Sequence, residues 1–163
     1  MGRSRGGLST KIHTLTDQRA SPVTVILTGG QSGDNPQLMP LLDLHRWQHR
    51  TGSFARVRVL ADARVRVLAD KAYSHPSTRK ELRRRRISNT IPQRTDQQAH
   101  RKKKGSQGGR PPAFDAEAYK KRNAVERGYA RLKQWRGIAT RYDKHALTFL
   151  GGLHLAASVL HLR

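Results

Sequence analysis

The chain has no cysteine. Disulfides, thiolate metal sites and a cysteine nucleophile are therefore excluded, and carboxylates and the eight histidines are left as candidate metal ligands. Acidic residues are scarce too: 11 stand against 33 lysines and arginines, for a formal net charge of +22. A compact state with that excess repels itself, so a polyanionic partner is the economical reading, and nucleic acid is the first candidate. Apolar residues are 35% of the 163 positions, below the ~45–50% of ordinary globular chains, which limits the core to a modest one. No uninterrupted apolar run is long enough to span a membrane, and Met1-Gly-Arg-Ser-Arg has no apolar signal core behind it. The expectation is a cytoplasmic protein with no membrane partner.

What is present reads as alternating strands and helices. Residues 8–17 and 22–28 are rich in β-branched side chains and flank a polar connector from Asp17, the pattern of an antiparallel hairpin. Pro36 suits a first helical position, and Leu38, Leu41, Leu42 and His45 recur at helical spacing, so a helix is expected over 36–48 with Asp34 or Asn35 as its cap. Residues 55–70 write Ala-Arg-Val-Arg-Val-Leu-Ala-Asp twice, ending at Asp62 and then at Asp70. The repeat is even in length, so side-chain alternation survives whichever copy pairs. Asp70, which leads into Lys71-Ala-Tyr-Ser, is expected to end the native strand. A helix from Pro76 or Ser77 to Arg86, a short strand over 87–91, a helix from Asp115 to Trp135 and an apolar helix over 145–162 follow. Between them, residues 93–113 are polar, basic and rich in glycine and proline, the composition of a mobile surface insertion. The expected class is an α/β domain on a mixed sheet. The histidines are scattered, and His154 and His161, in the apolar C-terminal stretch, read as packing or rim residues.

One segment carries chemistry. On a continuous helix at ~100° per residue, Tyr119, Arg122, Glu126 and Lys133 share an arc of roughly 60°, setting a carboxylate among cations. The chain has only three glutamates. Two-metal phosphoryl transfer needs carboxylates holding cations ~3.5–4 Å apart, and Mg²⁺ or Mn²⁺ prefers such oxygen ligands. Asp70 at a strand end and Glu126 on a helix beside the sheet suit that role. The plain alternative is that Asp70 caps the helix after it and Glu126 pairs with Arg122, worth ~0.2–0.5 kcal/mol. The runs Arg83–Arg86 and Arg101–Lys104 suit salt-dependent phosphate contacts, against the alternative of solvated surface charge. Tyr129 and Trp135, among Arg131, Lys133 and Arg136, suit base stacking and core packing alike.

These four spaced residues, together with Gly2-Arg-Ser-Arg-Gly-Gly-Leu-Ser-Thr-Lys-Ile-His, Val67-Leu-Ala-Asp-Lys-Ala-Tyr and Arg131-Leu-Lys-Gln-Trp-Arg-Gly-Ile-Ala-Thr-Arg-Tyr-Asp-Lys, resemble the DDE transposases of bacterial insertion sequences. The match is to the C-terminal part of the insertion-sequence-five-like group, within the four/five group, and covers nearly all of the chain. The resemblance implies a ribonuclease-H-like fold, a Mg²⁺ (or Mn²⁺) site of two aspartates and a glutamate, and strand cleavage and transfer at terminal inverted repeats. It sets the second aspartate on Asp70, which has the Lys-Ala-Tyr context that Asp62 lacks, and the glutamate on Glu126. Both are then metal ligands and catalytic residues, with Tyr119, Arg122 and Lys133 accompanying them and Lys71, Arg101, Lys102, Lys103 and Lys104 towards DNA. The first aspartate belongs to a strand upstream of the Gly-Arg-Ser-Arg-Gly-Gly stretch, and the turn context of Asp17 does not suit that role. Residues 1–163 are thus expected to be a partial catalytic domain lacking the first, central strand, with 93–113 as a basic insertion within it. Its expected partners are double-stranded DNA at transposon ends and an upstream transposase segment or a further copy, in a bacterial, nucleoid-associated setting. The alternative is a catalytically inactive DNA-binding remnant that modulates intact transposase. A basic RNA-binding or ribosome-associated protein is the third reading.

Overall fold

The computed structural model describes residues 2–4, 7–51 and 66–162 and divides into two units, Met1–Ala55 with Asn123–Arg163, and Arg56–Arg122. The first copy of the tandem repeat, with Asp62, lies outside the described residues.

In the first unit, the expected hairpin forms from strands β2 (Gly7–Thr16) and β3 (Pro22–Gly29), paired antiparallel from Thr10 opposite Gly29 to Thr16 opposite Pro22. Its connector closes because the Asp17 carboxylate accepts from the Ser21 amide at 2.8 Å while Ala20 takes a left-handed backbone, φ 67°. A short strand not expected from the sequence, β1 (Gly2–Ser4), pairs antiparallel with the start of β2, giving the order β1-β2-β3. Pro36 opens a 3-10 turn over Asn35–Gln37, and helix α1 (Leu38–Thr51) follows, burying Leu38, Leu41 and Leu42. Helices α5 (Asn123–Lys133), α6 (Arg136–Thr140) and α7 (Ala146–Leu162) complete the unit. Val25, Leu132, Phe149, Leu153, Ala156 and Leu160 form the core. Full burial of each large apolar side chain there contributes about 1.5–3 kcal/mol. Gly151 and Gly152 leave α7 unbroken, because the inner face is held by this packing.

In the second unit, β4 (Arg66–Leu68) and β5 (Ser88–Thr90) pair in parallel, linked through α2 (Pro76–Arg84). Arg79 ties α2 to β5, donating to Asn89 Oδ1 at 3.2 Å and to the Ile91 carbonyl at 2.7 Å. Helices α3 (Thr95–Lys103) and α4 (Ala116–Lys120) lie further along.

Three expectations change. The strands fall, among the described residues, into an antiparallel and a parallel sheet rather than one mixed sheet. Residues 93–113 are not structureless: α3 and a 3-10 turn over Gly105–Gly108 occupy them, and no residue of either is buried. The helix expected from Asp115 to Trp135 is two helices. The amides of Lys121 and Arg122 bond the carbonyls of Ala118 and Tyr119, three residues back rather than four, so α4 tightens and ends before Asn123. The apolar period runs through this break; Asn123, a residue that favours helix caps over interiors, is the signal that marks it.

Candidate functional site

Asp70 does not close a strand directly. β4 ends at Leu68, and Asp70 caps the 3-10 turn Lys71–Tyr73, with its Oδ1 accepting from the Lys71 amide at 2.5 Å. Its side chain is half exposed, and Oδ2 lies 3.9 Å from Arg122 Nη2. The Arg122 Nε donates to the Tyr119 hydroxyl at 3.2 Å, and its guanidinium carbon stands 5.8 Å from the Tyr119 ring centre. Phe114 backs that ring at 5.2 Å. Arg66 on β4 donates to the Asp115 carboxylate at 2.7 Å, and Asp115 also caps α4 through the Ala118 amide at 2.9 Å. These two contacts, the amide first and the guanidinium second, hold the Asp115 carboxyl below its ordinary range. The Arg66–Asp115 pair joins β4 to the start of α4. The second unit therefore brings together Asp70, Lys71, Tyr119 and Arg122.

Glu126 and Lys133 belong to the first unit. Both are exposed on α5, seven residues apart and so about 20° apart around it. The arc shared with Tyr119 and Arg122 presupposes an unbroken helix, and the helix is interrupted by the turn at 121–122. The seating of α5 on β2 fixes its orientation. Tyr129 donates its hydroxyl to the Ile12 carbonyl at 2.7 Å, and Arg131 Nη1 donates to the Arg19 carbonyl at 2.9 Å. Gly128 allows the close approach: a Cβ there would lie 3.0 Å from both the Ala20 carbonyl oxygen and Thr16 Cγ2. Burial pushes the Tyr129 phenol above its ordinary pKa, and Asp34 adds to the effect. Tyr129 is thus packed against the sheet, whereas Trp135 remains 41% exposed.

The cationic runs divide by their partners. Arg84 and Arg85 both donate to Glu81, at 2.6 and 2.7 Å in their shortest contacts, which lowers the Glu81 carboxyl to about 2. Half of the Arg83–Arg86 run is therefore engaged within its own helix. Arg101 donates to Gln93 Oε1, and Gly108 folds back so closely that a Cβ there would collide with the Arg101 carbonyl. Lys102, Lys103 and Lys104 point outward at the end of α3, where cations also complement the helix dipole.

One group escaped the sequence reading. His13 is buried, shares a 2.7 Å hydrogen bond between its Nε2 and Thr28 Oγ1, and lies 4.0 Å through Nδ1 from Asp34. Burial lowers its pKa, with Asp34 opposing and Lys11 assisting. Asp34 itself makes no capping bond from its side chain; its carboxylate accepts from Lys11 Nζ at 3.1 Å instead. Only the alternation of β2, which points His13 to the same side as Lys11, could have signalled this. His161 donates through Nε2–H to the Pro22 carbonyl at 2.9 Å, in keeping with a packing role. Among the described residues, no three potential metal ligands gather, and no helix is long and apolar enough to cross a membrane.

The α/β chain thus has an exposed carboxylate just past the end of β4 beside an arginine, a second exposed carboxylate on α5, and a large cationic excess. Residues 2–160 match the family described as "Transposase DDE domain", and the chain belongs to that family. A curated protein of Brucella ovis, named "Putative transposase for insertion sequence element IS6501", is 30% identical over 156 residues, covering 96% of this chain and 100% of that relative. No solved structure matches the chain. By family, then, this is a transposition enzyme of an insertion sequence.

Proposed function

We propose that the chain serves Mg²⁺-dependent cleavage and transfer of DNA strands at transposon inverted repeats, in the insertion-sequence-five-like group, on a ribonuclease-H-like fold. The observation that carries this reading is Asp70, a half-exposed carboxylate just past a strand end, with its Oδ2 3.9 Å from Arg122. The donor chemistry fits a hard divalent cation: Asp70 and Glu126 both offer oxygen ligands and both are exposed. Asp70 and Glu126 are the residues that would hold such an ion, which would supply Lewis-acid polarisation of the phosphate. The remaining work falls to the chain. The Lys71 amide and Arg122 fix the two oxygens of Asp70, Tyr129 and Gly128 fix the helix that bears Glu126, and Lys133 with Lys102–Lys104 neutralises phosphates. Lys71 and Arg101 complete the set proposed to face double-stranded DNA, in a cytoplasmic, nucleoid-associated setting. The first carboxylate of the three is assigned to no residue of this chain, and an upstream transposase segment or a further copy is proposed to supply it.

The second reading is an inactive DNA-binding remnant, for which the cationic excess of the chain is sufficient support. An assay of nicking and strand transfer on inverted-repeat DNA separates the two. Mg²⁺-dependent cleavage that disappears in both Asp70→Asn and Glu126→Gln supports the first; salt-sensitive binding without cleavage supports the second.

A further inference from the structure

Helix α7 turns Phe149, Leu153, Ala156, Ala157 and Leu160 onto the core. It also carries a second apolar row that no described residue covers: Leu147, Leu155 and Leu162 are 83%, 71% and 87% exposed. With Gly151, His154 and Ser158 they lie within an arc of roughly 100° on one face. From 145 to 162 there is no lysine, arginine, aspartate or glutamate, the longest uncharged run in a chain of net charge +22.

We propose that this face pairs antiparallel with the same face of a second copy, about a two-fold axis passing between His154 and Leu155. The spacing is self-complementary. Leu147 and Leu162 are equidistant from that midpoint, so each leucine stands level with the other on the second copy. Gly151 and Ser158 are equidistant as well, which sets small residue against small residue where the helices approach. Beside Leu147, an open apolar cleft of about 500 Å³ is lined by Val25, Ile26, Leu27, Leu44, Leu150 and His154, at the level where Leu162 of the second copy arrives.

Charge selects the occupant. Two chains of +22 repel across any cationic surface, so a second copy can approach only through an uncharged face, whereas an acidic partner would settle on the basic ones. A single helix pair buries less than the ~800 Å² per partner of a stable complex, so the association depends on concentration.

Sedimentation equilibrium of the full chain, freed of nucleic acid, over about 5–500 μM is the first measurement. The expected result is a mass rising towards twice the monomer, more readily at higher salt because repulsion is screened. Leu155→Glu should remain monomeric over the same range with unchanged circular dichroism and thermal midpoint, since Leu155 is outside the core. Geometry is tested by cross-linking, which the absence of native cysteine makes clean. Leu147→Cys mixed with Leu162→Cys should form a mixed disulfide, whereas Leu147→Cys alone should not, its two copies being roughly 22 Å apart along the axis. A wild-type chain that stays monomeric, an association that survives Leu155→Glu, or a disulfide between two Leu147→Cys chains would each overturn the proposal. None of these results depends on DNA cleavage.

Discussion

The Arg122 guanidinium lies 3.9 Å from the Asp70 carboxylate while it donates to the Tyr119 hydroxyl, so the turn that ends α4 sets an arginine, held by a tyrosine of that helix, beside the aspartate after β4. The pair is half exposed on the aspartate side, so its contribution to stability is small. Its effect on the carboxylate's orientation is what matters for chemistry.

Arg122→Gln should therefore cost less than about 1 kcal/mol in urea unfolding. In the assembly that supplies the first carboxylate, the same change should raise the Mg²⁺ needed for half-maximal DNA nicking by about 10- to 100-fold, as expected when a residue orienting a metal ligand is lost. A large stability loss with unchanged Mg²⁺ dependence would reverse the assignment.

Replacing Lys102, Lys103 and Lys104 together by glutamine should weaken duplex binding alike for specific and unrelated sequences. Each lost phosphate contact lowers the slope of log affinity against log salt by about 0.9, so the slope should fall by up to about 3. Fluorescence anisotropy across a salt series measures it. Arg83→Gln and Arg84→Gln offer a contrast: Arg84 is engaged with Glu81, and its loss should change the slope less.

Gly128→Ala tests the seating of α5. Alanine favours helix over glycine by about 1 kcal/mol, but the added methyl meets the Ala20 carbonyl at 3.0 Å, in a turn held by Asp17 and Ser21. Overpacking of this kind costs about 1–3 kcal/mol. A net loss of about 1 kcal/mol is expected in chemical denaturation.

Tyr129→Phe should cost about 1 kcal/mol near neutral pH by removing the bond to the Ile12 carbonyl. It should also alter the alkaline limb. The folded-state phenol is raised above 10.0, chiefly by burial, so its stabilising contribution is complete below that pH and is lost as pH rises through the folded value. The phenylalanine variant should lose less stability on titration above pH 10, as read from urea midpoints.

His13 acts at the opposite limb. Its folded pKa is lowered from 6.5 mainly by burial, so the contribution is present above 6.5 and lost as pH falls through the folded value, when the ring must charge. Urea midpoints should decline below pH 6.5 in the wild type and decline less in His13→Gln.

Much of the architecture was legible in the residues. The β-branched hairpin, Pro36 and Pro76 at helix starts, and the apolar spacing of 145–162 each dictate local structure that tertiary packing only completes. The second unit was harder to read, because Thr95–Lys103 is a helix whose polar sequence has no buried face to give it a period, and its strands are three residues long. At the site, Asp70 and Glu126 could be named by motif, yet the roles of their neighbours could not. Gln93 and Glu81 take up cations that composition alone leaves available to phosphate.

The sequence by itself determined the cationic character, the absence of thiol chemistry, the order of most elements and the membership in a transposase family. These follow from composition and local spacing, which need no knowledge of distant contacts. Only the tertiary structure decided that the helix bearing Glu126 starts anew at Asn123, that Gly128 and Tyr129 seat it on β2, and that Arg122 faces Asp70. The seating of α5 and the approach of Arg122 to Asp70 depend on residues far apart in the chain coming together, and the break before Asn123 on a local tightening of hydrogen bonds; a periodic apolar pattern carries no record of either.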